Sequence, residues 1–322
     1  MRKLHLAVGL LLLPSLGLGL GRDLVLPPGS NGVGPNVAWL KNGNLVVADS
    51  SYSHDESLVN VGAVHLFAPD GTLLQTVRGS RSNDLVGNRG VVVLEGGAFL
   101  IRSTAWDSPV AADVGAVTWR DGTGAGPTVV EVDASNSLVG SQPGDMVGSG
   151  GVKRLGNGDY VVMSPDWDRD GIANAGAYTR GPGASALAGP VSAGNSVVGT
   201  HADSRLNYQP TELANGNIVL QALDWRNATN ERVGAVMLVQ GDEPMTGEFT
   251  VANSLVGTRE GDGIGTGGVV ALPTGNFVVN SPQWSNGGAL RAGAVTWVDG
   301  ETGLVGEVSS ANSLVGSSQN NS

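Results

Sequence analysis

Three short markers recur along this chain in a fixed order, and that internal repetition constrains the fold more than any other feature. Asn-Ser-Leu-Val-Gly stands at residues 136–140, 253–257 and 312–316, and Asn-Ser-Val-Val-Gly at 195–199. Successive copies start 59, 58 and 59 residues apart. Gly-Ala-Val is the second marker, at residues 62–64, 115–117, 234–236 and 293–295, with Gly176-Ala177-Tyr178 filling the gap. A turn is the third: Asn42-Gly43-Asn44, Asn157-Gly158-Asp159, Asn215-Gly216-Asn217 and Thr274-Gly275-Asn276, with Glu95-Gly96-Gly97 as the variant. The chain therefore reads as five imperfect copies of one unit, at about 22–80, 81–141, 142–200, 201–258 and 259–322.

Each unit reads as strands. In the third copy, residues 152–155 form a short apolar run, and Gly156-Asn157-Gly158-Asp159 is a turn that tolerates positive φ. Residues 160–163 are a Val-rich run suited to a buried strand, which Ser164-Pro165-Asp166-Trp167 ends. Residues 175–179 supply a third strand, and 190–192 lead towards 195–199 as the last. No segment shows the 3.6-residue period of an amphipathic helix. Gly is 51 of 322 residues, about twice its usual share, as suits many short strands joined by turns. The expected fold is all-β: a β-propeller of five blades, each of about four antiparallel strands. A β-solenoid or a row of sandwich-like units is the alternative. Leu24-Val25 occupies the repeat position of Leu138-Val139, so pairing of residues 22–27 beside 312–317 would close the ring.

Trp106, Trp167, Trp225 and Trp284 share one repeat position, at the end of the second strand. A residue that must recur in every unit is expected to pack between units rather than bind a ligand. Trp119 and Trp297, in their Gly-Ala-Val-Thr-Trp strands, are expected in the core as well.

Residues 1–21 have the pattern of a secretory signal peptide: Arg2 and Lys3, then an apolar stretch over 6–20, with Gly19 and Gly21 before a cleavage point. That stretch is short for a bilayer span and is broken by Pro14 and Ser15, so no membrane insertion of the mature chain is expected. The chain has no cysteine, which excludes disulfides and thiolate metal sites and fits a secreted, cell-surface or periplasmic bacterial protein. Loss of Arg2 and Lys3 takes the net charge from −11 to −13, which disfavours nucleic acid and anionic lipid as partners.

The combined motifs are Asn-Ser-Leu-Val-Gly, Gly-Asp-x-Val/Ile-Gly at 144–148 and 261–265, Ser-Pro-x-Trp at 164–167 and 281–284, and Ala-Gly-Ala-Val-Thr-Trp at 292–297. Together they resemble an uncharacterised repeat of large bacterial exoproteins, including filamentous-haemagglutinin-like surface proteins. The first copy departs most, because Ser50-Ser51-Tyr52 stands in place of Ser-Pro-x-Trp. The resemblance implies export and a surface setting, and no activity. A looser similarity, through residues 62–67, is to integrin-α-like propeller repeats. That family often binds calcium, and the similarity implies adhesion or ligand binding.

One loop has cation-ligand spacing. Asp166, Asp168, Asp170 and Asn174 place side-chain oxygens at positions 1, 3, 5 and 9, with Gly171 at position 6, as a calcium loop requires. Ala177 at position 12 excludes an EF-hand, Arg169 lies inside the loop, and a solvated turn is the competing reading. Catalytic motifs are missing: His54, His65 and His201 lack metal-ligand spacing, and no nucleophile elbow or phosphate loop occurs. Asp107, Asp166 and Asp224, beside the recurring Trp, are the candidates for a glycosidase-type acid pair, but a position that recurs reads first as a capped turn at a strand end. The leading functional expectation is a non-enzymatic, secreted or surface-displayed repeat propeller. It would bind a protein or glycan ligand, act in adhesion or serve as structure. A carbohydrate-active propeller enzyme and a structural region of a larger adhesin are the alternatives.

Overall fold

The computed structural model describes residues 3–4, 24–32 and 36–320, so most of the proposed signal segment lies outside the described residues. All described elements are β-strands, and none is a helix long and apolar enough to cross a membrane. Five sheets follow one another in chain order, each with four antiparallel strands from its own unit. The third unit contributes Gly151–Arg154, Tyr160–Ser164, Ala177–Gly181 and Val197–Val198. The fourth contributes Thr211–Glu212, Ile218–Ala222, Ala235–Val239 and Ser254–Val256. The fifth contributes Val269–Ala271, Phe277–Ser281, Ala294–Val298 and Leu314–Val315. The fold is the expected all-β, propeller-like succession of repeated sheets.

The turn marker joins the first two strands of each unit. Its central glycine has φ between 85° and 94° at Gly43, Gly158, Gly216 and Gly275, which only glycine adopts without strain. In the variant unit Gly97 holds that place with φ of 91°, so that Gly96-Gly97-Ala98 rather than Glu95-Gly96-Gly97 is the equivalent turn. Asn42, Asn157 and Asn215 each accept, through Oδ1, the amide two residues on. The glycine of Gly-Ala-Val is held by close approach as well. A Cβ on Gly115 would sit 2.3 Å from the Val147 amide nitrogen, and one on Gly234 would sit 2.6 Å from that of Ile264.

The last part of the unit departs from the expected order. Gly189–Pro190 does not join its own sheet but pairs parallel with Leu138 and Val139 of the preceding one. Val129–Glu131, Gly247–Glu248 and Gly306–Glu307 do the same, each giving the preceding sheet a fifth, parallel edge strand. An outermost strand tolerates Pro190, which has no amide to give to a further neighbour. The fifth sheet receives no such strand and has four.

Apolar clusters lie between consecutive sheets. Val46 and Val64 meet Phe99 and Ile101; Leu100 and Val117 meet Tyr160 and Val162. Val161 and Tyr178 meet Ile218 and Leu220; Val219 and Val236 meet Phe277 and Val279. Among the described residues the expected pairing of residues 22–27 beside 312–317 is not made. Leu24–Val25 pairs antiparallel with Lys3–Leu4 instead, and Leu24 and Leu26 cover Leu45, Val47 and Phe67 on the outer face of the first sheet.

Candidate functional site

Most recurring side chains are committed to holding the sheets together. Asp84, Asp145 and Asp262, in the loops between sheets, are fully buried. Oδ2 of Asp145 accepts the amides of Ser141 and Gln142 at 2.7 and 2.8 Å, and Oδ1 accepts that of Asp168 at 2.8 Å. Asp84 and Asp262 repeat the arrangement, with Asp107 and Ser285 as the donors across the junction. Burial pushes the carboxyls of Asp84 and Asp145 above the usual carboxylate range, against the amide hydrogen bonds that hold the anion. At the remaining junction Ser204 takes the place of the aspartate.

The Asn-Ser marker is explained the same way. Asn136, Asn195, Asn253 and Asn312 each accept the amide three residues earlier and donate Nδ2 to the carbonyl five residues earlier. The serine after them bonds the neighbouring strand, as in Thr118–Ser137, Thr179–Ser196 and Thr296–Ser313, each 2.7 Å. In the first unit His65 Nδ1 and Thr76 Oγ1 form this pair at 3.0 Å, and burial depresses the His65 pKa to about 4. The serine of Ser-Pro-x-Trp accepts a glycine amide of the inter-sheet loop: Gly148 to Ser164 and Gly265 to Ser281, both 3.1 Å.

The four tryptophans at the strand ends are buried, one in each inter-sheet cluster, as expected of a packing element. Tyr52, also buried, stands in their place in the first unit. Trp119 is half-buried and donates Nε1 to the Gly183 carbonyl. Trp297 corrects the expectation of a core position: it lies exposed on the outer face of the fifth sheet.

The Asp166–Asn174 loop is a tight hairpin in which Arg169 and Ile172 exchange both backbone hydrogen bonds. Asp170 and Gly171 form its tip with φ of 44° and 86°. Its four oxygen-bearing side chains point to different partners. Asp166 accepts from Ser149 Oγ at 2.7 Å, and Asp168 accepts the Asn174 amide at 2.7 Å. Asn174 donates to Asp203 at 3.0 Å, while Asp170 faces solvent. The Asp168–Asn174 bond recurs as Asp107 accepting the Asp113 amide at 2.7 Å, and Ser285 accepting that of Arg291 at 3.3 Å. Asp113, Asn174 and Arg291 all have φ near 50°. The residue after the tryptophan therefore braces a left-handed residue six positions on. Asp107 is thus equivalent to Asp168, not to Asp166 or Asp224; Asp224 pairs with Arg232 at 3.2 Å.

A concavity lies at the turn end of the sheets. A cavity of about 710 Å³ between the third, fourth and fifth units is lined by Asn157, Glu212, Asn215, Gln240, Asp242 and Glu301, among others. A second, of about 500 Å³, is lined by Glu95, Trp119, Asp121 and Asp159, and shares Gly156 and Asn157 with the first. The two form one groove with no Lys or Arg in its lining. Glu95 is paired with Lys41, Asp159 with Arg180, and Glu212 accepts the Gly156 amide. Gln240 donates to the Glu301 carbonyl. The sequence does not show this groove, because its lining brings together turns of three different units whose spacing along the chain gives no sign of their proximity.

The chain belongs to a family described as a repeat of unknown function (DUF5650), which matches residues 93–149, 154–208, 212–266 and 271–322. Each match begins near the first strand of a sheet, and the first three run into the loop that leads to the next. The family description names neither haemagglutinin-like nor integrin-like proteins. No curated protein matches the sequence. Among solved structures, a protein of unknown function from Bacteroides caccae is similar at 12% identity and a TM-score of 0.30, over 87% of this chain and 80% of that one.

Proposed function

We propose that this is a non-enzymatic repeat scaffold, exported or displayed at the cell surface, that binds a hydroxyl-rich ligand such as a glycan in the turn-end groove. The observation that carries this is the lining of the groove, where the recurring turn residues Asn157 and Asn215 stand beside side chains that differ from unit to unit, Gln240, Asp242 and Glu301. Trp119, Asn157, Asn215 and Gln240 supply a ring and amides beside the Asp242 and Glu301 carboxylates, the donor and acceptor mixture that suits sugar hydroxyls. Asp84 and Asp145, whose carboxyls burial raises, are sealed beneath loops and out of reach of a ligand in the groove. The apolar stretch at 6–20 and the resemblance to exoprotein repeats support export. A glycan array tests the reading. Binding that Asn215→Ala and Asp242→Ala weaken supports it. Binding only of basic peptides would favour a protein ligand, and cleavage of a bound glycan would make the chain an enzyme.

A further inference from the structure

The junction between the third and fourth sheets lacks the carboxylate that closes the others. At Asp84, Asp145 and Asp262 one oxygen accepts two amides of its own loop, and the other accepts the amide that follows the next unit's tryptophan. Ser204 holds that position in the third loop, and the backbone around it is unchanged. A Cβ on Gly199 would sit 2.8 Å from the Ser204 Cβ, against 2.6 Å between Gly140 and Asp145. The amides of Asp203 and Arg205 reach the carbonyls of Ala173 and Asn174, as those of Gly144 and Met146 reach Ala112 and Asp113. The shorter Ser204 side chain turns away and donates Oγ to the His201 carbonyl at 2.8 Å. The donors equivalent to those of Asp145 are the amides of Thr200, His201 and Arg226, and among the described residues no acceptor meets them. Half-buried amides in that condition are rare in folded chains.

Charge changes at the same place. Arg226 stands where Asp107, Asp168 and Ser285 stand, so the junction has lost a carboxylate and gained a guanidinium. Arg226 donates to the Asn230 carbonyl at 2.9 Å, while Asp203 and Asp224 pair with Arg205 and Arg232 instead. His201, Trp225 and Arg226 border a cavity of about 460 Å³, whose wall also includes Phe249, Val251 and Glu307.

We propose that this junction binds the carboxylate of a small organic acid, which supplies from outside the group that Asp84, Asp145 and Asp262 supply from within. A carboxylate is selected because the three amides keep the arrangement that serves two oxygens of one planar group at the sister junctions. Arg226 adds a charged donor, which strengthens such contacts. Burial, and then the Arg226 charge, lower the His201 pKa, so the guanidinium is the cation an anion meets at neutral pH. The body of the acid lies in the cavity against Val251, which is 53% exposed. This cavity shares no lining residue with the turn-end groove, so the site stands independently of the glycan reading.

Amide chemical shifts of the isotope-labelled chain test the proposal, with acetate and benzoate as probes and chloride and phosphate at equal ionic strength as controls. The expected result is a saturable shift of the Thr200, His201 and Arg226 amides in millimolar carboxylate, with a rise in melting temperature. Ser204→Asp should take the ligand's place: it should melt higher than the parent without carboxylate and show no response to it. Arg226→Ser, which installs the residue found after Trp284, should weaken binding about tenfold or more through loss of a charged partner. Shifts no larger than those in chloride overturn the proposal, as does a response to acetate that Ser204→Asp retains. Preference for phosphate over both carboxylates overturns it too. Should Ser204→Asp fold poorly, undiminished carboxylate binding by Arg226→Ser overturns it in the same way.

Discussion

Asp145 accepts the amide of Asp168 across the junction between the second and third sheets, at 2.8 Å, with no part of the Asp145 side chain open to water. The loop that carries it is also held to the second unit, where the amides of Met146 and Val147 reach the carbonyls of Asp113 and Val114 at 3.1 Å. One carboxylate therefore fastens the loop onto the turn after Trp167, whose ring packs against the second sheet. Asp145→Ala leaves three amides without an acceptor, at about 1–3 kcal/mol for each group that water cannot reach. Chemical denaturation should show a loss of at least about 3 kcal/mol. A loss below about 1 kcal/mol would mean that water replaces the carboxylate.

His65 gives the fold a pH dependence. Its folded pKa of about 4 lies below the ordinary 6.5, so between these values the unfolded chain takes up a proton that the folded one refuses. Stability contributed by the neutral ring is complete above pH 6.5 and is lost as pH falls towards 4, by about 3 kcal/mol in all. Asp84 and Asp145 act in the opposite sense. Their raised pKa values make the folded state the better proton acceptor, so their contribution weakens as pH rises above 3.8. His65→Thr restores the residue found at Thr118, Thr179 and Thr296. The melting temperature of this variant should fall less between pH 6.5 and 4 than that of the parent. Parallel curves would assign the acid sensitivity elsewhere.

Asp168 separates the cation-loop reading from the turn reading. Its Oδ1 already accepts the Asn174 amide, and its own amide is given to Asp145. Asp168→Ala should lower stability by about 1–2 kcal/mol through loss of that acceptor, equally with and without millimolar calcium. A melting temperature that rises with calcium in the parent, and not in the variant, would show that the loop opens to ligate a cation.

What was legible in the sequence is what local chemistry dictates. Asn-Gly-Asn requires its turn, Val-rich runs require burial, and a recurring tryptophan requires a recurring partner. The strand handed back at Gly189–Pro190 was not legible, because parallel pairing with Leu138 and Val139, some fifty residues earlier, leaves no local trace. Nor was the role of Asp145: Gly-Asp-x-Val-Gly shows that an aspartate recurs, not that its acceptors point inward to amides. For the Asp166–Asn174 loop the sequence gives the spacing of the oxygens but not their direction, nor the hairpin that Arg169 and Ile172 close within it.

Trp284 and Trp297 provide the sharpest contrast. They belong to one unit and are thirteen residues apart, yet one lies in the cluster between the fourth and fifth sheets and the other on the outer face. Trp297 and Trp119 end identical Gly-Ala-Val-Thr-Trp segments, so exposure is set by place in the array rather than by local sequence. Removal of a buried indole costs about 3–5 kcal/mol, a large share of an ordinary domain's stability. Trp284→Ala should therefore lower the melting temperature markedly, with or without a glycan present. Trp297→Ala should leave the melting of the isolated protomer within the small range typical of surface changes, about 0.5 kcal/mol. Measurement at concentrations low enough to dissociate any dimer keeps the two effects apart, because association adds apparent stability to whichever form it favours. If Trp284→Ala melts like the parent but loses ligand, the tryptophan row is a recognition surface. If Trp297→Ala melts as low as Trp284→Ala in dilute solution, the fifth sheet's outer face is covered within the protomer and the array is closed after all.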